Sequence, residues 1–254
     1  MRQKLINMMV VAVLSFAVAS PAKAETNWVE FKVGRDTVRA LIALPSGTGP
    51  HPAVLYNHGS IVRIKGYDEA RSRGYDTDGY VQALADAGYV GLAPIRDHLA
   101  LLDYQQAIIG GEHIVNAAIA YLKARNDVDP ARIGAIGFSE GGLVSLWSAL
   151  EGADVKALVL MSPATIRDAK EKRLKAAAKR SVLKRLKMPV MLTVGAHDNK
   201  SIRKISKRML VPNFKRLDIP FTYKTDYPGD HRWFWSVRPE HFSAVTAFLD
   251  EHMK

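Results

Sequence analysis

The chain has 254 residues, no cysteine, and 36 Lys+Arg against 25 Asp+Glu, for a formal net charge of +11. Without thiols there is no disulfide framework, thiolate metal site, cysteine nucleophile or lipidated-cysteine start, and 48% hydrophobic with 24% charged residues is globular rather than disordered or fibrous composition. The charge alone would suit a nucleic-acid binder, so its position along the chain decides what it means.

At the N-terminus, Arg2 and Lys4 precede an almost wholly apolar run, residues 5–19, and Ser20-Pro21-Ala22-Lys23-Ala24 sets small residues at the alternate positions that a signal peptidase reads. The run is shorter than the roughly 20 residues a bilayer core requires. Residues 1–24 therefore read as a secretory signal cleaved after Ala24, and residues 25–254 as one periplasmic or secreted domain without a membrane span. Losing Arg2, Lys4 and Lys23 lowers the net charge to +8.

Residues 28–33 and 37–44 alternate apolar and polar side chains around Gly34-Arg35-Asp36, the pattern of an antiparallel hairpin with one wet face. Then the pattern changes to short continuous apolar runs at 53–56, 89–93, 133–138, 157–161 and 190–194, as strands of a parallel sheet covered on both faces require. Stretches of helical period lie between and after them, at 78–87, 104–125, 143–150, 202–210 and 238–252. Alternating strands and helices predict an α/β fold, a doubly wound, mostly parallel sheet with the hairpin at its antiparallel edge. Residues 165–187, long and charged between two strands, read as a small inserted helical cap.

Gly137-Phe138-Ser139-Glu140-Gly141, followed by Gly142, matches the G-x-S-x-G turn in which a serine sits between a strand and a helix. The competing reading is a glycine-rich turn with a bystander serine; the apolar strand before it and helical pattern after it favour the nucleophile. A serine needs a base and an orienting acid, which in such hydrolases follow in the order acid, then histidine. Residues 189–194 form a late strand ending in Gly195-Ala196-His197-Asp198, which makes Asp198 the acid. Residues 221–224 form the last strand, and Tyr227-Pro228-Gly229-Asp230-His231 turns back after it, which makes His231 the base. Asp226 and Asp230 are rival acids, but near-adjacent residues rarely orient an imidazole from its far side. His197 suits a structural or rim role, and His98, His113, His241 and His252 suit surface or packing roles. No H-E-x-x-H or other metal spacing occurs, so a metal site is not expected. Two donors to an oxyanion complete such a site. They are expected to be the backbone N–H of Glu140 and that of Ser60 in the Asn57-His58-Gly59-Ser60 loop, with Ile61 as a substitute for the latter.

Together these four ordered elements resemble the α/β-hydrolase superfamily, in particular its dienelactone hydrolase and prolyl-oligopeptidase-like branch. The resemblance implies an eight-stranded, mostly parallel sheet and hydrolysis of esters, thioesters or amides through an acyl-enzyme without a cofactor, with Ser139, Asp198 and His231 as the triad. Two departures bear on substrate. Dienelactone hydrolases proper use a cysteine nucleophile, which this chain lacks, and prolyl-oligopeptidase relatives usually carry a large N-terminal propeller where this sequence shows a hairpin. An ester is favoured over a peptide, leaving amide cleavage and a non-catalytic binding protein for an anionic partner as alternatives.

A long loop over residues 60–73, with Arg63, Lys65, Arg71 and Arg73 beside Tyr67 and Tyr75, is expected near the pocket mouth. Trp233, Phe234 and Trp235 follow His231 and fit either a pocket wall or core packing. Residues 167–216 hold 17 Lys+Arg and 3 Asp+Glu, whereas the rest of the mature chain has a net charge of −6. Such a patch can be a solvated face, steer an anionic small-molecule ester, or touch an anionic envelope surface. Nucleic acid is the weakest partner, because no recognition motif accompanies the charge. Oligomeric state is not written in the sequence.

Overall fold

The computed structural model describes residues 25–164, 174 and 177–254, so the signal segment and residues 165–173 and 175–176 of the expected cap lie outside the described residues. Eight strands, β1 (Thr26–Val33), β2 (Asp36–Ala43), β3 (His51–Asn57), β4 (Val90–Pro94), β5 (Val128–Phe138), β6 (Leu158–Met161), β7 (Val190–Gly195) and β8 (Phe221–Tyr227), form one sheet in the order β1-β2-β4-β3-β5-β6-β7-β8. β1 pairs with β2 and β2 with β4 antiparallel, and every other pairing is parallel. This is the α/β-hydrolase sheet with the N-terminal hairpin at its edge.

The continuous apolar runs follow from burial on both faces. On one face Leu55, Leu92, Ala135, Leu160 and Leu192 pack with Ile108, Ile114, Val144 and Trp147. The alternate residues Val54, Tyr56, Ile136, Val159 and Met191 pack on the other face with Tyr80, Leu84, Val245 and Leu249. Each buried aliphatic or aromatic side chain contributes about 1.5–3 kcal/mol, so neither face tolerates polar substitution.

The first face is covered by α4 (Tyr104–Lys123) and α5 (Glu140–Leu150), the second by α3 (Thr77–Asp86) and the C-terminal α9 (Pro239–Met253). Local chemistry fixes where they begin. Asp76 accepts from the Gly79 N–H at the start of α3, and Asp103 with Gln106 forms a capping box at the start of α4.

Two expectations are corrected. Residues 60–73 are not a loop but two short helices, α1 (Ser60–Lys65) and α2 (Tyr67–Ser72). They break at Gly66, whose φ of +82° reverses the chain without a side-chain clash, and they bury Val62, Arg63, Tyr67 and Ala70. The helix expected over 202–210 begins earlier, as α7 (Lys200–Ile205), passes through a π turn (Ser206–Leu210) and continues as α8 (Val211–Arg216). In the described part of the expected cap, Arg180–Leu183 forms one helical turn, α6. Among the described residues, no helix is long and apolar enough to cross a membrane.

Candidate active site

Parallel strands all point the same way, so the turns after β3, β5, β7 and β8 gather at one edge of the sheet. β5 ends directly in Ser139, whose φ of +54° is rare for a residue with a side chain. The conformation is pinned from three sides. The Ser139 N–H donates to the Met161 carbonyl at 3.0 Å, and the Ser139 carbonyl accepts from the N–H groups of Leu143 and Ala164 at 3.2 and 2.8 Å. Close approach explains the flanking glycines: a Cβ on Gly141 would lie 2.0 Å from the Asn57 carbonyl oxygen, and one on Gly137 would lie 2.3 Å from that of Gly141.

The structure brings Ser139, His231 and Asp198 into one chain of polar contacts. His231 Nε2 lies 2.8 Å from Ser139 Oγ, and Nδ1 lies 3.0 Å from Asp198 Oδ1. Asp198 is buried, and its Oδ1 also accepts from the Asn199 N–H at 2.6 Å. A carboxylate on Nδ1 keeps the imidazole proton there and leaves Nε2 free to take one from a hydroxyl. The rival acids lie elsewhere: Asp230 accepts from the Arg232 N–H at 2.9 Å, and Asp226 is exposed. His197 is exposed as well; its backbone N–H donates to the Gly229 carbonyl at 3.1 Å, tying the acid turn to the histidine turn.

His231 opens a 3-10 turn, His231–Trp235, that is anchored to the second face of the sheet. Tyr80 Oη donates to the Phe234 carbonyl at 2.9 Å, and the Asp76 N–H donates to the Trp235 carbonyl at 2.8 Å. Phe138, the residue before the serine, packs its ring 4.8 Å from the His231 ring. The aromatic triplet fits core packing: Phe234 is fully buried, and the half-buried Trp233 and Trp235 pack against the same core cluster.

Ser60 and Glu140 each begin a helix, and the loops that carry them are bound together by a cluster the sequence does not announce. Arg63, expected at the pocket mouth, is buried and donates from Nε and Nη2 to both carboxylate oxygens of Glu140 at 2.9 Å. Arg96, fully buried, donates to Glu140 Oε1 at 3.2 Å and to the His58 carbonyl. Asn57 Nδ2 donates to Ser145 Oγ at 2.8 Å, and the Gly59 N–H donates to Tyr75 Oη at 2.8 Å, so Tyr75 lies beneath this loop rather than at a rim. The loop after β3 is thus fastened to α5 through side chains as well as through the sheet.

Electrostatics make sense of the pairing. A lone carboxylate at Glu140, one residue after the serine, would oppose negative charge developing there; two guanidiniums reverse the sign and leave the cluster one positive charge in excess. His58 adds none, because burial and then Arg96 hold its pKa well below the usual histidine value. The Arg96 N–H donates to Nε2 of the neutral ring at 3.0 Å, placing the ring proton on Nδ1, 2.9 Å from the Gly59 carbonyl. Arg96 had no place in the sequence reading, and Arg63 and Tyr75, expected at the pocket mouth, are buried in the cluster instead. The available signal was Glu140 itself, since an acid in a buried turn must find a cation.

Among the described residues no three His, Asp or Glu side chains are grouped to hold a metal ion. Comparison with known proteins places this geometry in context. A putative hydrolase, YtaP, of Bacillus subtilis is 30% identical over 151 residues, which is 50% of this chain and 48% of that protein, so the chain spans about half of that relative. The acylaminoacyl peptidase of Pyrococcus horikoshii superposes with a TM-score of 0.72 at 15% identity, covering 92% of this chain and 42% of the peptidase. A dienelactone hydrolase-like promiscuous phosphotriesterase from metagenomic libraries gives 0.67 at 17% identity, covering 92% of this chain and 100% of that one. The dienelactone hydrolase of Anabaena variabilis gives 0.64 at 18% identity with the same coverage. These structural likenesses establish the fold, and the dienelactone hydrolase family profile matches residues 38–231, from inside β2 to His231. By that match across most of its length, the chain belongs to the dienelactone hydrolase family and has the α/β-hydrolase fold.

Proposed function

We propose that the protein is an exported serine hydrolase that cleaves carboxylic esters through an acyl-enzyme. The observation that carries this reading is the chain Ser139 Oγ, His231 Nε2, Asp198 Oδ1, with both links at hydrogen-bond distance. Ser139 Oγ attacks the acyl carbon while His231 Nε2 takes its proton, and the N–H groups of Ser60 and Glu140 receive the oxyanion. Collapse expels the alcohol with that proton and leaves the acyl group on Oγ. Water, deprotonated by His231, then releases the carboxylic acid. Asp198 holds the ring through both halves.

The family name supports an ester substrate, and full-length superposition on dienelactone hydrolase-like proteins agrees with it. Amide cleavage is the second reading, favoured by the likeness to the acylaminoacyl peptidase, because the same constellation serves either acyl group. Export rests on residues 1–24 and predicts a mature N-terminus at Glu25, readable by sequencing the protein from a periplasmic fraction.

Turnover of p-nitrophenyl butyrate and of an aminoacyl p-nitroanilide decides among these. The ester should be cleaved faster, and Ser139→Ala should reduce its turnover at least about a thousandfold. Faster anilide cleavage would make the protein an amidase, and no turnover of either would leave a binding protein.

A further inference from the structure

Beside the serine turn lies a cavity of about 330 Å³, within the size range of small-molecule sites. Its walls are apolar: Leu143 and Leu146 of α5, Leu174 and Ala177, and Ile205 and Leu210 across the α7 and π turns. Pro163 and Ala164 close one side, and the Ala164 N–H donates to the Ser139 carbonyl at 2.8 Å, so the cavity wall is bonded to the serine turn.

Three charged residues line it, and all are cations: Lys179, Lys204 and Arg208. Each is exposed, and none has a carboxylate partner among the described residues. Lys204 and Arg208 are four residues apart and share one side of their helix with Ile205 and Met209. An apolar hollow whose described charged residues are all cations is complementary to one chemistry, an apolar chain ending in an anion. The volume sets the length: at the ~30 Å³ of a water molecule per methylene, it holds about ten carbons.

We propose that this cavity binds an amphiphilic carboxylate with an unbranched chain of about eight to ten carbons, the chain inside and the carboxylate at Lys179, Lys204 and Arg208. The inference goes beyond the ester reading and does not need Ser139 to react.

Calorimetric titration of the purified protein, and of its Ser139→Ala variant, with straight-chain carboxylates from butanoate to dodecanoate tests it. Affinity should rise about fourfold per methylene and level off near ten carbons. It should be the same in Ser139→Ala, which separates this proposal from the catalytic one. Decanoate should bind about tenfold more weakly to the combined Lys179→Gln, Lys204→Gln, Arg208→Gln variant, while decanol binds both proteins alike. Ala178→Trp, whose ring would fill the cavity, should abolish binding of both; if that variant fails to fold, the chain-length series and the glutamine variant still decide. An affinity independent of chain length, or decanoate binding unchanged in the glutamine variant, would overturn the proposal.

Discussion

Arginine plays opposite parts on the two sides of Ser139. Arg63 and Arg96 are buried, share Glu140 and fasten the loop after β3 to α5. Arg208, with Lys179 and Lys204, is exposed beside an apolar cavity and has no carboxylate partner among the described residues. The difference teaches that a charge's role is set by its solvent. In the interior a guanidinium without its carboxylate costs several kcal/mol, so it locks geometry. At the surface the same group costs little, stays free, and remains able to meet a ligand.

The contrast should appear first in the buried half. Asp198→Asn, which removes the acceptor on His231 Nδ1, is expected to lower kcat about 10⁴-fold with the fold intact by circular dichroism. Unchanged turnover would mean that Asp198 does not orient His231 in the reaction. Arg63→Met leaves Glu140 with Arg96 alone and should cost about 3–5 kcal/mol of stability in urea unfolding. Arg63→Lys keeps the charge but loses the two-pronged contact and should fall between. A loss under 1 kcal/mol for Arg63→Met would mean the cluster locks nothing.

A smaller effect is expected at His241, buried among Tyr227, Trp233 and Phe234, with Nε2 3.2 Å from Thr193 Oγ1. Burial, and then Lys224, lowers its pKa from 6.5 to about 3. The unfolded chain therefore binds this proton more readily, and stability falls as pH drops from about 6.5 toward 3. His58, lowered for the same leading reason, acts in the same direction. His241→Phe should lose about 2 kcal/mol less than the wild type between pH 7 and pH 5, read as the difference in urea midpoints. Equal slopes would mean His241 accepts its proton in the folded state.

The exposed half should give the smallest stability change. Replacing Lys179, Lys204 and Arg208 together by Gln should shift unfolding by less than about 1 kcal/mol. If the basic region draws anionic esters, salt should raise KM for a carboxylate-bearing ester and leave a neutral ester alone. A large stability loss in this variant would erase the contrast between the two halves.

The sheet was legible because period and burial are local properties: runs such as Val190 to Val194 are apolar on both faces wherever they sit. The three turn motifs were legible because their order along the chain encodes their meeting at one sheet edge. Arg63 was misread because an exposed and a buried arginine look alike in sequence; its partner Glu140 is 77 positions away. The helices over residues 60–72 were missed because each is only 6 residues long, too short for helical periodicity to register. His241, expected in a surface or packing role, is core, although its neighbours along the helix include Glu240 and Ser243.

The proposed hydrolysis turns on Ser139 as nucleophile. Incubation with a fluorophosphonate followed by peptide mass spectrometry tests that directly: one phosphonyl adduct is predicted per chain, on Ser139, and none in Ser139→Ala or after denaturation. An unlabelled protein, or an adduct on a different residue that persists in Ser139→Ala, would contradict it.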